Sequence, residues 1–205
     1  MENTDKNNLK FEIYQELGEC YTQTGDLEKA IKHYEEAQKI DPQHDRPFVG
    51  LGIAVMQKND YERAKGYFYR ALELNPNSDK AMTGLAMILC STERSQEGFE
   101  MYQQALNLDP ADLTALSGLI RCAYAFDRLD IAEHYLNDYL EIYPGNIKIL
   151  FCLAGTYFKR NKIKKAKDII EKIFIFDPDH REARELFEKI EGSEHAGTYE
   201  KCENL

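Results

Sequence analysis

The sequence predicts an all-α protein, an α-solenoid (superhelix) of antiparallel helix pairs with a C-terminal capping helix. Three observations lead to this fold class: a pattern that recurs every 34 residues without an insertion, helical spacing of apolar residues within each copy, and a proline that closes each copy. The prolines are Pro42, Pro76, Pro110, Pro144 and Pro178. A fixed period of this length indicates repeats that pack chiefly on their neighbours.

The repeat divides the chain into four kinds of segment. Residues 1–10 and 193–205 are polar, lack helical periodicity and are expected to be disordered. Residues 181–192 keep one apolar face, as expected of a helix that caps the last repeat. The five repeats fill residues 11–180, with copies at 11–44, 45–78, 79–112, 113–146 and 147–180.

Each copy is predicted to contain two helices joined by a short turn. In the first helix of the first copy, the i, i+3, i+4, i+7 spacing of one helix face is met by Tyr14, Leu17, Gly18 and Tyr21. Gly25 suits the left-handed conformation that ends a helix, and Asp26 suits the cap of the next helix. Loops this short force the two helices to be antiparallel.

The second helix and the later turns follow the same rules. Asp41-Pro42 ends the second helix, because the residue before a proline disfavours helical backbone. Residues that tolerate the left-handed conformation recur at the turn as Asn59, Asp127 and Asn161.

Together these positions resemble the tetratricopeptide repeat (TPR) family. The first copy matches the family pattern through Tyr14, Leu17, Gly18, Tyr21, Ala30, Tyr34, Ala37 and Pro42, and the second copy through Phe48, Leu51, Gly52, Ala64, Phe68, Ala71 and Pro76. No copy has the frequent tryptophan of the family. The resemblance implies a concave groove, lined by the first helices, where extended or helical peptides bind; it names no ligand.

A strip of residues on the first helices is the predicted binding surface. If each copy is numbered in slots 1 to 34, slots 2, 5, 9, 12 and 13 share one side of the first helix, because successive residues turn by about 100°. In copies two to five these positions hold five bases and no acid, although acids outnumber bases in the chain by 36 to 26. The strip residues expected to bind a partner are Arg46, Val49, Ile53, Met56, Lys80, Met87, Arg121, Tyr124, Lys148, Phe151, Phe158 and Lys159.

The expected ligand is an acidic, amphipathic peptide segment of a partner protein. The basic side chains would attract carboxylates and set the register, and the apolar ones would bury apolar side chains. The first copy has Glu12 and Glu19 in the strip, so the strip should turn acidic at its amino-terminal end and orient the ligand.

Two other interpretations of the sequence stay open. The strip could be structural, with its apolar residues against neighbouring repeats and its bases paired with acids on second helices such as Glu62 or Glu97. The protein could also be a self-assembling scaffold, a homo-oligomer formed through the repeat ends or the tails. The 13 tyrosines, and a tail with Tyr199 and Cys202, motivate that second hypothesis.

One TPR subtype, which holds the C-terminal carboxylate of chaperones with lysine and asparagine side chains, is not expected here. Gln15 and Glu19 stand where that lysine and asparagine would be, and Gly50 and Gly84 occupy other clamp positions. Only Lys80 fits.

Composition disfavours the remaining classes of function. The net charge of -10 repels phosphate backbones, so no nucleic-acid partner is expected. No uninterrupted apolar run approaches the length of a membrane span, the opening residues lack the apolar run of a signal peptide, and the five cysteines are scattered. We therefore expect a cytoplasmic protein with no direct membrane insertion.

No catalytic constellation is visible. The five histidines are dispersed, and the chain has no phosphate-binding glycine loop, no nucleophile elbow and no zinc-ligand spacing. We expect no catalytic residue, no metal site, no cofactor and no enzymatic activity.

Overall fold

The computed structural model describes the backbone of residues 2–92 and 94–202 and the side chains of residues 6–92 and 94–192. Within these ranges all regular secondary structure is helical, which confirms the predicted all-α fold class. The helices are α1 (Glu2–Thr24), α2 (Leu27–Ile40), α3 (Arg46–Gln57), α4 (Tyr61–Leu74), α5 (Asp79–Leu89), α6 (Ser95–Leu108), α7 (Leu113–Ala125), α8 (Leu129–Ile142), α9 (Ile147–Lys159), α10 (Ile163–Phe176) and α11 (Arg181–Cys202).

Residues with a left-handed backbone conformation form the turns between paired helices, as the sequence predicts. Gly25 has a φ of 82°, and Asn59, Asp127 and Asn161 have φ values of 63°, 54° and 56°. Glycine carries no β-carbon to clash in this region, and asparagine and aspartate tolerate it better than other residues. The side chain of Asp26 then caps α2 by accepting a hydrogen bond from the backbone N–H of Lys29 at 3.4 Å.

The repeated prolines set the ends of the second helices. The second helices α2, α4, α6, α8 and α10 each end two residues before a proline, at Ile40, Leu74, Leu108, Ile142 and Phe176. The residue between is extended or nearly so, as at Asp41, where φ is -133° and ψ is 92°.

The helices at both ends of the chain are longer than the sequence predicts. α1 begins at Glu2, so residues 2–10, which were expected to be disordered, are helical. No proline or glycine precedes Gly18, and extending a helix already anchored by the buried Phe11 costs little. α11 continues past residue 192 to Cys202, so the first ten residues of the expected disordered tail are helical as well. Residues 1 and 203–205 lie outside the described residues.

The chain divides into two compact units, Met1–Cys122 and Ala123–Leu205, with the boundary inside α7. The sequence predicts one continuous array of repeats, without this division. In the first unit α1 packs beside α3 and α3 beside α5, while α2 and α4 pack against the first helices on either side of them. In the second unit α9 packs against α8, α10 and α11.

One aromatic ring lies between the first helices of the first two repeats. A β-carbon added at Gly18 would lie 2.5 Å from Cε1 of Tyr34, and one added at Gly50 would lie 2.3 Å from the same atom. Real β-carbons do not approach other atoms this closely, so both helices need glycine where they touch the ring. The ring of Tyr34 is itself 3% exposed.

The next two repeats of the first unit use the same contact. Phe68 fills the place between Gly52 and Gly84, where added β-carbons would lie 2.6 Å and 2.3 Å from the ring. Tyr102 packs in the same way on Gly118, at 2.2 Å.

The second unit replaces this ring with aliphatic side chains. The equivalent positions hold Leu136 and Ile170, both fully buried, and the position of the second glycine holds Cys152. In the second unit the side chain between the helices is therefore smaller than an aromatic ring, and Cys152 is larger than the glycine it replaces. The total side-chain volume between the helices stays similar.

Gly84→Ala should destabilise the protein by about 1–3 kcal/mol, because the new methyl group collides with the rigid ring of Phe68. Phe68→Leu in the same chain should recover part of that loss, because it recreates the aliphatic arrangement of the second unit. Urea unfolding followed by circular dichroism measures both effects.

Gly66→Ala is the matched control, because Gly66 is also helical but nothing lies within 4 Å of its added β-carbon. It should stabilise the protein by about 0.5–1 kcal/mol. Equal effects of the two glycine substitutions would contradict the ring-contact explanation.

Candidate functional site

Three adjoining pockets follow the first helices of the first unit. Their volumes are about 420, 600 and 410 Å³. The first and second pockets share Ile53, Asp79 and Lys80, and the second and third share Met87, Leu113 and Thr114. Since neighbouring pockets share walls, they form one depression, which we call the groove.

The contact glycines lie in the groove. Gly50 lines the first pocket, Gly84 the second and Gly118 the third. Because these positions carry no side chain, the rings of Tyr34 and Tyr102 behind them also line the first and third pockets. The packing that spaces the helices therefore also shapes the groove.

The groove brings together all the predicted strip residues of the first unit. They are Arg46, Val49, Ile53, Met56, Lys80, Met87 and Arg121. Val49 is only 7% exposed, whereas Met87 is 37% exposed. Met87 therefore offers contact area, and Val49 belongs to the groove wall.

The three cations of the groove differ in their partners. Arg46 donates two hydrogen bonds to Glu12, at 3.0 and 2.9 Å. Lys80 and Arg121 are exposed and form no ion pair with any described residue. Both cations therefore remain available to an anionic group.

The acids on second helices that we named as structural partners of the strip are engaged elsewhere. Glu62 pairs with Lys65 at 2.9 Å, and Glu97 pairs with Arg94. The partner of Arg46 comes instead from a first helix, α1, through Glu12.

Acids outside the strip slots also line the groove. Asp45, Asp79, Asp109 and Asp112 lie among its lining residues. Asp45 and Asp79 occupy slot 1, one helical turn before slot 5, so the spacing that selected the strip also places them on its side. Extending the strip by one turn would have found them.

Three of these four carboxylates accept hydrogen bonds inside the protein. Asp109 Oδ1 accepts one from the backbone N–H of Ala111 at 2.9 Å. Asp45 Oδ2 accepts a hydrogen bond from Asn75 Nδ2 at 3.0 Å. Asp112 Oδ2 accepts one from Thr83 Oγ1 at 2.9 Å, and its Oδ1 accepts one from the backbone N–H of Thr114 at 2.8 Å. Asp45 and Asp112 join neighbouring helices, and Asp112 also caps α7, so their charge is less available to a ligand than that of Lys80.

Two buried polar groups of the groove lack a hydrogen-bond partner among the described residues. Nε2 of Gln15, a residue that is 1% exposed, is in the wall of the first pocket. The hydroxyl of Tyr102, a residue that is fully buried, is in the wall of the third. Burial raises the pKa of Tyr102 well above its ordinary value, so the phenol keeps its proton and remains a donor.

Buried polar atoms are nearly always hydrogen-bonded. The Gln15 amide and the Tyr102 phenol are exceptions to this rule among the described residues. No residue pattern in the sequence distinguished them, because an orphaned donor depends on how its neighbours are paired.

The predicted strip residues of the second unit fall into two groups. The hydroxyl of Tyr124 lies 2.9 Å from Thr156 Oγ1, and Nζ of Lys159 lies 4.6 Å from the centre of the Tyr124 ring. Lys148 is exposed and has no ion pair within the described part of the chain. These residues present a ring and two cations.

The other two strip residues of the second unit contact residues that follow α10. Phe151 packs against the ring of His180, with centroids 5.5 Å apart. Phe158 lies under Lys189 of α11, at 5.6 Å. Both phenylalanines are half-buried, so the structural interpretation of the strip applies to part of their surface.

The turn between α9 and α10 is basic, and its residues lie outside the slots that define the predicted strip. Arg160 and Lys162 both contact Glu133, whose side chain is 14% exposed, with the lysine at 2.7 Å. Lys165 lies farther from the same carboxylate, at 3.9 Å. Three cations on one acid leave an excess of positive charge at this turn.

Two further properties concern the described residues as a whole. No group of three or more His, Cys, Asp or Glu side chains among them is placed to hold a metal ion. None of the helices that the structure describes has both the length and the apolar character needed to cross a bilayer.

Comparison with known families identifies the repeat. Models described as tetratricopeptide repeat match residues 11–44, 49–112 and 92–147. No curated protein matches the chain in sequence.

Several solved structures have a similar fold. The chain is similar to PilF of Pseudomonas aeruginosa, with 16% identity and a TM-score of 0.74, over 95% of this chain and 90% of that one. It is similar to YrrB, described as a TPR protein with an unusual peptide-binding site, with 23% identity and a TM-score of 0.62, over 85% and 90% of the two chains. It is also similar to MamA of Desulfovibrio magneticus, with 20% identity and a TM-score of 0.63, over 84% and 97%. At these identities the likeness concerns the fold alone.

Gln15→Met and Tyr102→Phe should each leave the free protein as stable as the wild type or stabilise it by about 1 kcal/mol, because each removes a buried polar group that has no partner. Urea unfolding midpoints measure this. Thr83→Val is the control: it removes a hydroxyl that is bonded to Asp112, and it should cost about 1 kcal/mol. A loss of stability in Gln15→Met as large as in Thr83→Val would mean that the amide already has a partner in the free protein.

Proposed function

Because this chain belongs to the tetratricopeptide repeat family, we propose that it is a non-enzymatic protein-interaction module whose groove holds an acidic, amphipathic peptide segment of a partner protein. The exposed cations Lys80 and Arg121, with the exposed Met87 between them, carry this proposal. Carboxylates of a peptide segment would pair with the two cations, and an apolar side chain of the segment would pack on Met87.

The acidic character of the ligand follows from the free cations. Lys80 lines the first and second pockets, and Arg121 lines the third. Between them lie apolar side chains, with Met87 37% exposed and Leu113 46% exposed. A segment with acidic residues on either side of an apolar residue would pair its charges and bury its apolar side chain at once.

The groove also favours one direction for the ligand. Its α1 end carries Glu19, whereas Arg121 is the sole charged residue among those lining the third pocket. The acidic residues of the segment are therefore attracted toward α7 and repelled from α1. The strip residues of the second unit, Tyr124, Lys148, Phe151, Phe158 and Lys159, are proposed as a separate set of partner contacts.

The test is a selection of binding sequences from a random peptide library displayed on phage, with the full-length protein as bait. The selected peptides should combine acidic and apolar residues. The double substitution Lys80→Glu and Arg121→Glu should weaken binding of a selected peptide by roughly tenfold or more, measured by fluorescence anisotropy.

The matched control reverses two exposed cations on second helices, Lys32→Glu and Arg63→Glu, and should leave the affinity unchanged. Selection of basic peptides, or equal binding by both double variants, would reject the acidic ligand. No selection at all would reject the peptide-binding groove.

Self-assembly remains the second candidate, and one observation favours it. Ile13 of α1 is 44% exposed, whereas the residue in the same slot of every later copy is buried. Leu9, one turn earlier on the same helix, is 63% exposed. A second copy of the chain would cover this apolar face.

Ile13→Glu should convert any oligomer to a monomer, because it places a charge in the covered face. Light scattering coupled to size-exclusion chromatography measures the mass of both proteins. A wild-type protein that stays monomeric at every concentration tested would remove this candidate.

A further inference from the structure

Two cysteines of consecutive repeats touch in the first unit. Cys122 Sγ lies 3.0 Å from Cys90 Sγ and donates a hydrogen bond to it. Both are free thiols, and Cys122 is 6% exposed while Cys90 is half-buried. The two cysteines are 32 residues apart in the sequence, where the cysteines are scattered and no spacing pairs them.

The sulfur of Cys90 is held in place by its surroundings. It donates a weak hydrogen bond to the backbone oxygen of Ser95 at 3.7 Å. A β-carbon added at Gly98 would lie 2.6 Å from this sulfur. The other four copies have alanine in the Gly98 slot, as Ala30, Ala64, Ala132 and Ala166. The third repeat thus has sulfur where the other repeats have a methyl group.

The same two slots also meet in the second unit. Cys90 and Cys122 occupy slot 12 of one repeat and slot 10 of the next, and Tyr124 and Thr156 occupy those slots one repeat later. Their hydroxyl oxygens lie 2.9 Å apart. Side chains at these slots therefore meet across the repeat boundary as a property of the fold, and in the first unit both happen to be thiols.

We propose that Cys90 and Cys122 form an oxidation site that a peroxide converts reversibly to a disulfide. The more accessible Cys90 thiol is oxidised first by hydrogen peroxide, giving a sulfenic acid and one water. The Cys122 sulfur then attacks the Cys90 sulfur, and the S–S bond forms as the hydroxyl leaves as a second water. Two thiols lose two electrons and two protons in total, and one peroxide takes them up.

The geometry requires little movement. A disulfide has its sulfurs about 2 Å apart, so the two side chains must approach by about 1 Å. Burial raises the pKa of the Cys90 thiol to about 12, so little thiolate is present at neutral pH and the reaction is slow. The bond would join α5 to α7 beside Arg121 and the third pocket, whether or not the groove binds a peptide.

The experiment treats the full-length protein with hydrogen peroxide to the end point, blocks the remaining thiols with N-ethylmaleimide in urea, and maps the peptides by mass spectrometry without reduction. A cross-linked peptide that joins Cys90 to Cys122 is expected, with a yield at least roughly tenfold above that from protein oxidised in urea. Dithiothreitol should restore both thiols.

Two comparisons keep the result interpretable. Cys122→Ser should leave Cys90 as a sulfenic acid that dimedone labels, and the exposed Cys20 reports oxidation without a neighbouring thiol. The proposal fails if Cys90 and Cys122 still react with N-ethylmaleimide at the end point of the peroxide treatment, when longer exposure consumes no further thiol. It also fails if the cross-links of the folded protein join other cysteines as often as this pair.

Discussion

A buried ring held between two glycines sets the distance between neighbouring first helices, and the rest of the first unit depends on it. Tyr34 and Phe68 each touch two glycines of different helices, at distances where no β-carbon fits. One glycine beside each ring lines the groove, Gly50 beside Tyr34, Gly84 beside Phe68 and Gly118 beside Tyr102. The contact that sets the spacing of these first helices therefore also shapes the candidate binding site.

The electrostatics of the groove depend on which charges are already paired. The carboxylates of Asp45 and Asp112 accept hydrogen bonds that join the helices of the first unit. Lys80 and Arg121 have no comparable bonds to described residues. Of the groove acids, Asp79 and Glu19 have no side-chain bond to a described residue, and neither of them lines the third pocket beside Arg121. This difference is why an acidic segment remains the proposed ligand of a chain whose net charge is -10.

The periodic sequence was sufficient for the fold and for much of the groove. Prolines fixed where second helices end, asparagine and aspartate fixed the left-handed turns, and slot spacing found seven groove residues, among them Lys80 and Arg121. The slot-1 acids were missed by stopping the spacing one turn too early. Periodicity could not predict the unpaired Gln15 amide, the Cys90–Cys122 contact or the packing of Phe151 against His180. Each of these depends on side-chain packing between repeats. Helix ends were also underestimated, since a polar segment such as residues 2–10 extends a helix once buried residues have nucleated it.

The most direct test of this description is a nuclear magnetic resonance titration of the isotope-labelled protein with an acidic, amphipathic peptide. If the groove is the binding site, the side-chain amide of Gln15 and the backbone amides of Gly50, Gly84 and Gly118 shift together as peptide is added. Shifts confined to the outer surfaces of α2, α4 and α6, with these groups unchanged, would contradict it.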